Sequence, residues 1–190
     1  MLEILDRQME SWSELIRMQL QAPLHDPKKI ASTIYSELVK SSDRLQKITT
    51  KQETGPGFQD LIDELVAFQS WMDFSSRFNE PGVVRARVIT EVYICFVYLS
   101  DAIFYDLRRL MPADTLTHVC ASALVTDKVR KFRHAIAHAN WKYAPDFGAL
   151  ICWAWNDAKQ LEEFRVSQAE LDFWQALSRC VAYTFVSAMK

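Results

Sequence analysis

From Val83 to Leu110 the chain carries neither glycine nor proline. At about 1.5 Å of rise per residue, an unbroken helix over that stretch is roughly 42 Å long. Its middle, Val92 to Leu99, is apolar on every side. A helix apolar all round must be enclosed, so this one is expected among other helices or against a second subunit. The apolar run is bounded by Glu91 and Ser100-Asp101 and falls far short of the roughly 20 residues that span a bilayer, so no membrane role is expected. The chain of 190 residues has only 4 Gly and 6 Pro, few for a sandwich or barrel that turns about every eight to twelve residues. The expected fold is mainly α: an up-down helical bundle with long central helices, in a single domain over residues 1–190.

Other elements follow from spacing and punctuation. Leu5, Met9, Trp12, Ile16 and Leu20 make one helical stripe over Leu2 to Leu20, ended by Pro23 and Pro27. Asp26 can cap a second helix that opens with Pro27 and turns Ile30, Ile34, Leu38, Leu45 and Ile48 to one face. Thr49 to Gly57 reads as a loop. Phe58 to Phe78 reads as a helix on Leu61, Leu65, Phe68 and Met72, stopped by Pro81-Gly82. Beyond Pro112 a further helix is expected from about Leu116 to Ala139. Ala149 to Trp155 is rich in aromatic and β-branched residues and reads as a strand. Asn156-Asp157 can turn it back onto Phe164-Arg165-Val166, giving a small two-stranded hairpin packed on helices before the C-terminal helix. Ser167 and Glu170 form a capping box that opens that helix, which runs to Met189.

Charge and cysteine usage narrow the classes of function. Lys+Arg number 22 and Asp+Glu 24, a net charge of -2, so no global positive field attracts polyanions and any such site must be local. Acids interrupt the apolar residues of Met1 to Asp6, unlike a secretory leader. Cys95, Cys120, Cys152 and Cys180 form no Cys-x-x-Cys pair and are expected as buried apolar side chains in a reducing cytoplasm. Arg87 and Glu91, four apart on the central helix, are expected to form a structural salt bridge rather than a catalytic acid.

One segment stands apart. Lys128, Arg130, Lys131, Arg133 and Lys142 fall in a stretch with no acid between Lys128 and Lys142. On a helix, His134 and His138 lie one turn apart on one face, Arg130 lies one turn before His134, and Arg133 borders the same surface. Phe132, Ile136 and Trp141 can pack on the core and hold the helix rigid. A guanidinium holds a phosphate by two parallel hydrogen bonds, and an imidazole exchanges protons near neutral pH. These are the parts needed to cut RNA without a metal. A base takes the ribose 2′-hydroxyl proton, a cation stabilises the phosphorane and an acid protonates the leaving 5′-oxygen. No Cys, Asp or Glu lies near the two histidines in sequence, so no metal site and no cofactor is expected. His25 and His118 receive no role, and the tryptophans are expected chiefly as core and interface anchors.

The string Arg133-His134-Ala135-Ile136-Ala137-His138 resembles the signature of HEPN domains: an arginine, four intervening residues and a histidine. A polar residue directly follows the arginine, and small apolar residues precede the histidine. The resemblance implies a HEPN-like helical bundle and a homodimer in which the motif helices of two subunits face one another. It also implies a composite, metal-free endoribonuclease site. Arg133 then clamps the phosphate, His138 is the principal acid/base, and His134 is a second proton donor or an orienting group. Arg130, Lys131, Asn140 and Lys142 are the expected contacts to the RNA. Members of this family act as toxins or in antiviral abortive infection, with antitoxin or nucleotidyltransferase partners. Where some of these toxins carry a tyrosine that the nucleotidyltransferase modifies, this chain has Asn140. Many members bind or dimerise without catalysis. The alternative is therefore a non-catalytic HEPN module holding RNA, a nucleotide or a partner protein, and a further rival is a helical scaffold with Val92 to Leu99 as its partner surface.

Overall fold

The computed structural model describes residues 27–49, 57–146, 148–155 and 159–189. The expected stripe over Leu2 to Leu20, the Pro23 stop, the Asp26 cap, the loop over residues 50–56 and the Asn156-Asp157 turn lie outside them. The described residues form seven helices and one small antiparallel sheet.

Where one helix with a less regular apolar face was expected, two form, α1 (Pro27–Lys40) and α2 (Ser42–Thr49); the expected residues Ile30, Ile34, Leu38, Leu45 and Ile48 are buried, divided between them. A turn at Ser41 separates them, where the Ser41 N–H bonds the carbonyls of Glu37 and Leu38. Helix α3 (Phe58–Ser75) buries Leu61, Leu65 and Phe68, and ends three residues before the expected Phe78. At that end the Ser75 carbonyl accepts a hydrogen bond from Arg87 Nη1 at 3.1 Å.

Helix α4 is the long run Pro81–Leu110. It starts with Pro81 at its first position, so the Pro-Gly pair opens this helix instead of only closing the one before. It is α-helical over Pro81–Tyr93, takes π geometry over Ile94–Tyr98 and Ser100–Phe104, and returns to α over Tyr105–Leu110. Length and composition would let this run cross a membrane. Part of the run is enclosed within the fold, since Ile94, Cys95, Phe96, Leu99, Ile103 and Phe104 are all buried, while Tyr93 is exposed. The expected Arg87–Glu91 pair is replaced. Arg87 is spent on the end of α3, and Glu91 receives Arg179 from the C-terminal helix. Burial pushes the Glu91 carboxyl above its ordinary range, against the pull of Arg179.

The single helix expected over Leu116 to Ala139 is two helices, α5 (Leu116–Leu124) and α6 (Asp127–Ala137). Thr126 divides them by capping α6, its hydroxyl accepting the Val129 N–H at 3.3 Å. Glu37 of α1 caps α5 from a distance. Its carboxylate accepts the N–H groups of Leu116 and Thr117 at 3.0 and 2.8 Å and the Thr117 hydroxyl at 2.7 Å.

The sheet has three strands, not two, in the order β1 (Trp141–Tyr143), β2 (Ala149–Trp155), β3 (Leu161–Ser167). Strand β3 passes straight into α7 (Gln168–Met189) at Ser167, where the expected capping box forms. The Ser167 N–H donates to Glu170 Oε2 at 3.1 Å, and the Glu170 N–H donates to Ser167 Oγ at 3.2 Å. Nearly every residue of α7 from Phe173 to Val186 is buried, so α4 and α7 share the centre. Phe96, Phe132 and Trp174 meet where α4, α6 and α7 cross, with ring centroids 5.4 to 6.2 Å apart. That aromatic cluster seats α6 on the core.

Candidate functional site

Helix α6 buries Val129, Phe132 and Ala135, which leaves Arg130, His134 and Ala137 on its outer side and Arg133 at the margin. It stops earlier than expected. His138 is the C-cap and Ala139 takes the left-handed conformation with φ 56°. The Asn140 N–H bonds the Ala135 carbonyl at 2.8 Å and the Ala139 N–H bonds that of Ile136 at 3.1 Å, the paired bonds of a Schellman end. His138 nevertheless stays one turn from His134, its N–H on the His134 carbonyl at 3.1 Å. The two exposed imidazoles lie against each other, ring centroids 4.3 Å apart and planes tilted by 58°.

The cations have fates that the local sequence does not announce. Arg133 Nη1 donates to Asp101 of α4 at 2.9 Å. Arg130 reaches Asp127 at 2.6 Å, and Lys131 reaches Asp127 at 3.2 Å and Glu162 of β3 at 2.8 Å. The hydrogen bonds from Arg130 and Lys131 hold the Asp127 carboxyl below its usual range. Lys128 pairs with Glu170 of α7 at 2.5 Å. Lys142 lies on the sheet, its Nζ 5.2 Å from the centroid of the Trp153 ring. Asn140 contributes its backbone carbonyl, which accepts the Trp153 N–H at 2.9 Å. The fold therefore brings His134 and His138 together and sets Arg133 against a carboxylate. It ties Arg130 and Lys131 to acids and places Lys142 on a different surface element.

Asp101 is the residue that sequence reading missed. It lies 32 positions before its partner, and its one local signal is a charge standing where the apolar run of α4 ends. Chemically, Arg133 is a guanidinium paired with an exposed carboxylate, so an anion reaching it would have to compete with Asp101, and the imidazole pair is of a kind that can accept and return a proton. Other nucleophiles are poorly placed. All four cysteines are free and buried, and burial pushes the thiols of Cys95, Cys152 and Cys180 up to about 12. Among the described residues no group of three or more His, Cys, Asp or Glu side chains gathers to hold a metal ion.

Comparison with known proteins adds no relative: no protein-family model, no curated protein and no solved structure matches the chain.

Proposed function

We propose that the chain is a metal-independent endoribonuclease of HEPN type, cutting RNA by attack of the ribose 2′-hydroxyl on the adjacent phosphate. His138 takes or gives the proton, His134 is its second donor or orienting group, and Arg133 binds the phosphate, in a site completed by a second copy of the chain. The biological setting would be cytoplasmic, as a toxin or abortive-infection protein with an antitoxin or nucleotidyltransferase partner. One observation carries this reading: two exposed imidazoles in tilted contact, ring centroids 4.3 Å apart, on the end of a helix seated on the aromatic core and whose margin holds an arginine. Buried histidines satisfied by the core would have argued the other way.

The test is single-stranded RNA incubated with the pure protein in chelator, beside His138→Ala. Cleavage by the wild type should fall about a hundredfold or more in the variant, the usual cost of losing a general acid/base. Equal cleavage by both, or none by the wild type, ends the enzymatic reading.

A second reading has its own support. Arg133 already holds a carboxylate of its own chain, which suits a non-catalytic HEPN dimerisation module that binds RNA, a nucleotide or a partner protein. Binding of RNA without product, unchanged in His138→Ala, would decide for it.

A further inference from the structure

We infer that the outer face of the β-sheet is a stacking platform for the bases of an unpaired RNA strand. The two faces of the sheet are unlike. Leu150, Cys152, Ala154 and Val166 are buried against the helices. By alternation along β2, Ile151, Trp153 and Trp155 then form a column on the opposite face. Trp155 is 60% exposed, so packing of the core does not account for an indole at that position.

The strand register defines what surrounds the column. Lys142 and Arg165 flank Ile151 from the two edge strands, Glu163 lies beside Trp153, and Leu161 lies beside Trp155. Glu163 accepts the Trp153 Nε1–H at 3.0 Å, which fixes the plane of that ring, while the Lys142 ammonium rides above it. Arg165 reaches the exposed Asp146 at 3.4 Å.

A protein partner covering the column would have to desolvate two cations along with the indoles. A nucleotide strand offers a π face to the open Trp155 indole and, once its phosphate has drawn Lys142 off the ring, to Trp153, with a phosphate for each cation. Glu163 and Asp146 balance the two cations, so stacking rather than a positive field must supply most of the affinity. Trp153 and Trp155 stand about 6.8 Å apart along the strand, twice the 3.4 Å step between stacked bases of a duplex strand. Consecutive bases can reach both rings only from an extended single strand. Strand β2 itself is tied to the end of α6, because the Trp153 N–H bonds the backbone carbonyl of Asn140, two residues beyond His138. That the strand is RNA rests on the function proposed above; that it is unpaired does not.

The experiment measures binding of a labelled oligouridylate and its 2′-deoxy counterpart to the full chain in chelator, by fluorescence anisotropy and tryptophan quenching. The deoxy strand has no 2′-hydroxyl to attack, so binding is read independently of cleavage. Both strands should bind, and a duplex of equal length should compete poorly. Trp155→Ala should weaken binding about tenfold or more, with most of it restored in Trp155→Phe. Lys142→Ala should lower the salt slope by about 0.7. Trp155-dependent binding without cleavage refutes the ribonuclease reading and leaves the platform standing. The platform is refuted if neither strand binds, if Trp155→Ala binds like the wild type, or if duplex competes equally. It is also refuted if Trp155→Ala alters only the oligomeric state in sedimentation, since the face is then a protein contact.

Discussion

The guanidinium of Arg133 on α6 donates to the carboxylate of Asp101, which stands on a π-helical stretch of α4, at 2.9 Å. The Asp101 side chain is 63% exposed, so water screens the pair. An exposed pair of this kind contributes at most about 1 kcal/mol, and a phosphate that claims Arg133 must overcome that competition. Asp101→Asn is therefore expected to tighten binding of a 2′-deoxy strand by up to about fivefold, whereas Arg133→Ala weakens it. Anisotropy titrations read both. An affinity that ignores either substitution removes Arg133 from the phosphate site.

Ala139 closes α6 in a left-handed conformation with φ 56°. A Cβ makes that conformation cost about 1 kcal/mol, and glycine escapes the cost. Ala139→Gly should raise stability by about that amount, partly offset by glycine's freedom in the unfolded chain, and Tm by about 2–4 °C. Calorimetry checks it. A loss of stability would mean that the left-handed residue at Ala139, just past the C-cap, is not what ends the helix.

Glu37 ties α1 to the start of α5 through three hydrogen bonds, one of them to the hydroxyl of the fully buried Thr117. Glu37→Ala leaves those donors without a partner and should cost about 2–3 kcal/mol in urea unfolding. Surface glutamates such as Glu64 supply the control, with changes within about 0.5 kcal/mol.

Burial opposes ionisation of Glu170, but hydrogen bonds from Lys128 and Ser167 outweigh it and hold the carboxyl below its ordinary 4.5. The unfolded chain then takes up this proton first as the solution is acidified. The contribution of Glu170 is thus fully present above about pH 4.5 and is lost as the pH falls through the lower folded value. Glu170→Gln should show a shallower loss of stability over that window, with the two curves converging in stronger acid. Parallel curves at all pH values would refute the assignment.

Much of the helical framework could be read directly. Ile30, Ile34, Leu38, Leu45 and Ile48 announce their burial by spacing, and Ser167 with Glu170 announces the start of α7 by a cap whose two residues stand three positions apart. Misreadings arose where a local signal was weak or was outbid. Thr126 was a legible cap inside a pattern read as one helix. Strand β1 is only Trp141–Tyr143, too short for periodicity to reveal, and pairing with β2 creates it. Arg87 stood at ideal spacing from Glu91, yet the carbonyl end of α3 took Arg87 and Arg179 took Glu91.

By itself the sequence determined that the chain is mainly helical, which apolar residues turn inward and the one-turn spacing of His134 and His138, because each depends on residues a few positions apart along one backbone; it did not determine where the helices divide, at Ser41 and at Val125-Thr126. It did not determine the electrostatics of the motif. Of the five cations in an acid-free segment, Arg133, Lys131 and Lys128 became ion-paired with Asp101, Glu162 and Glu170, which lie 31 to 42 positions away. Coulomb energy follows distance through space, so which charges remain available to a ligand was settled only when α4, β3 and α7 packed around α6.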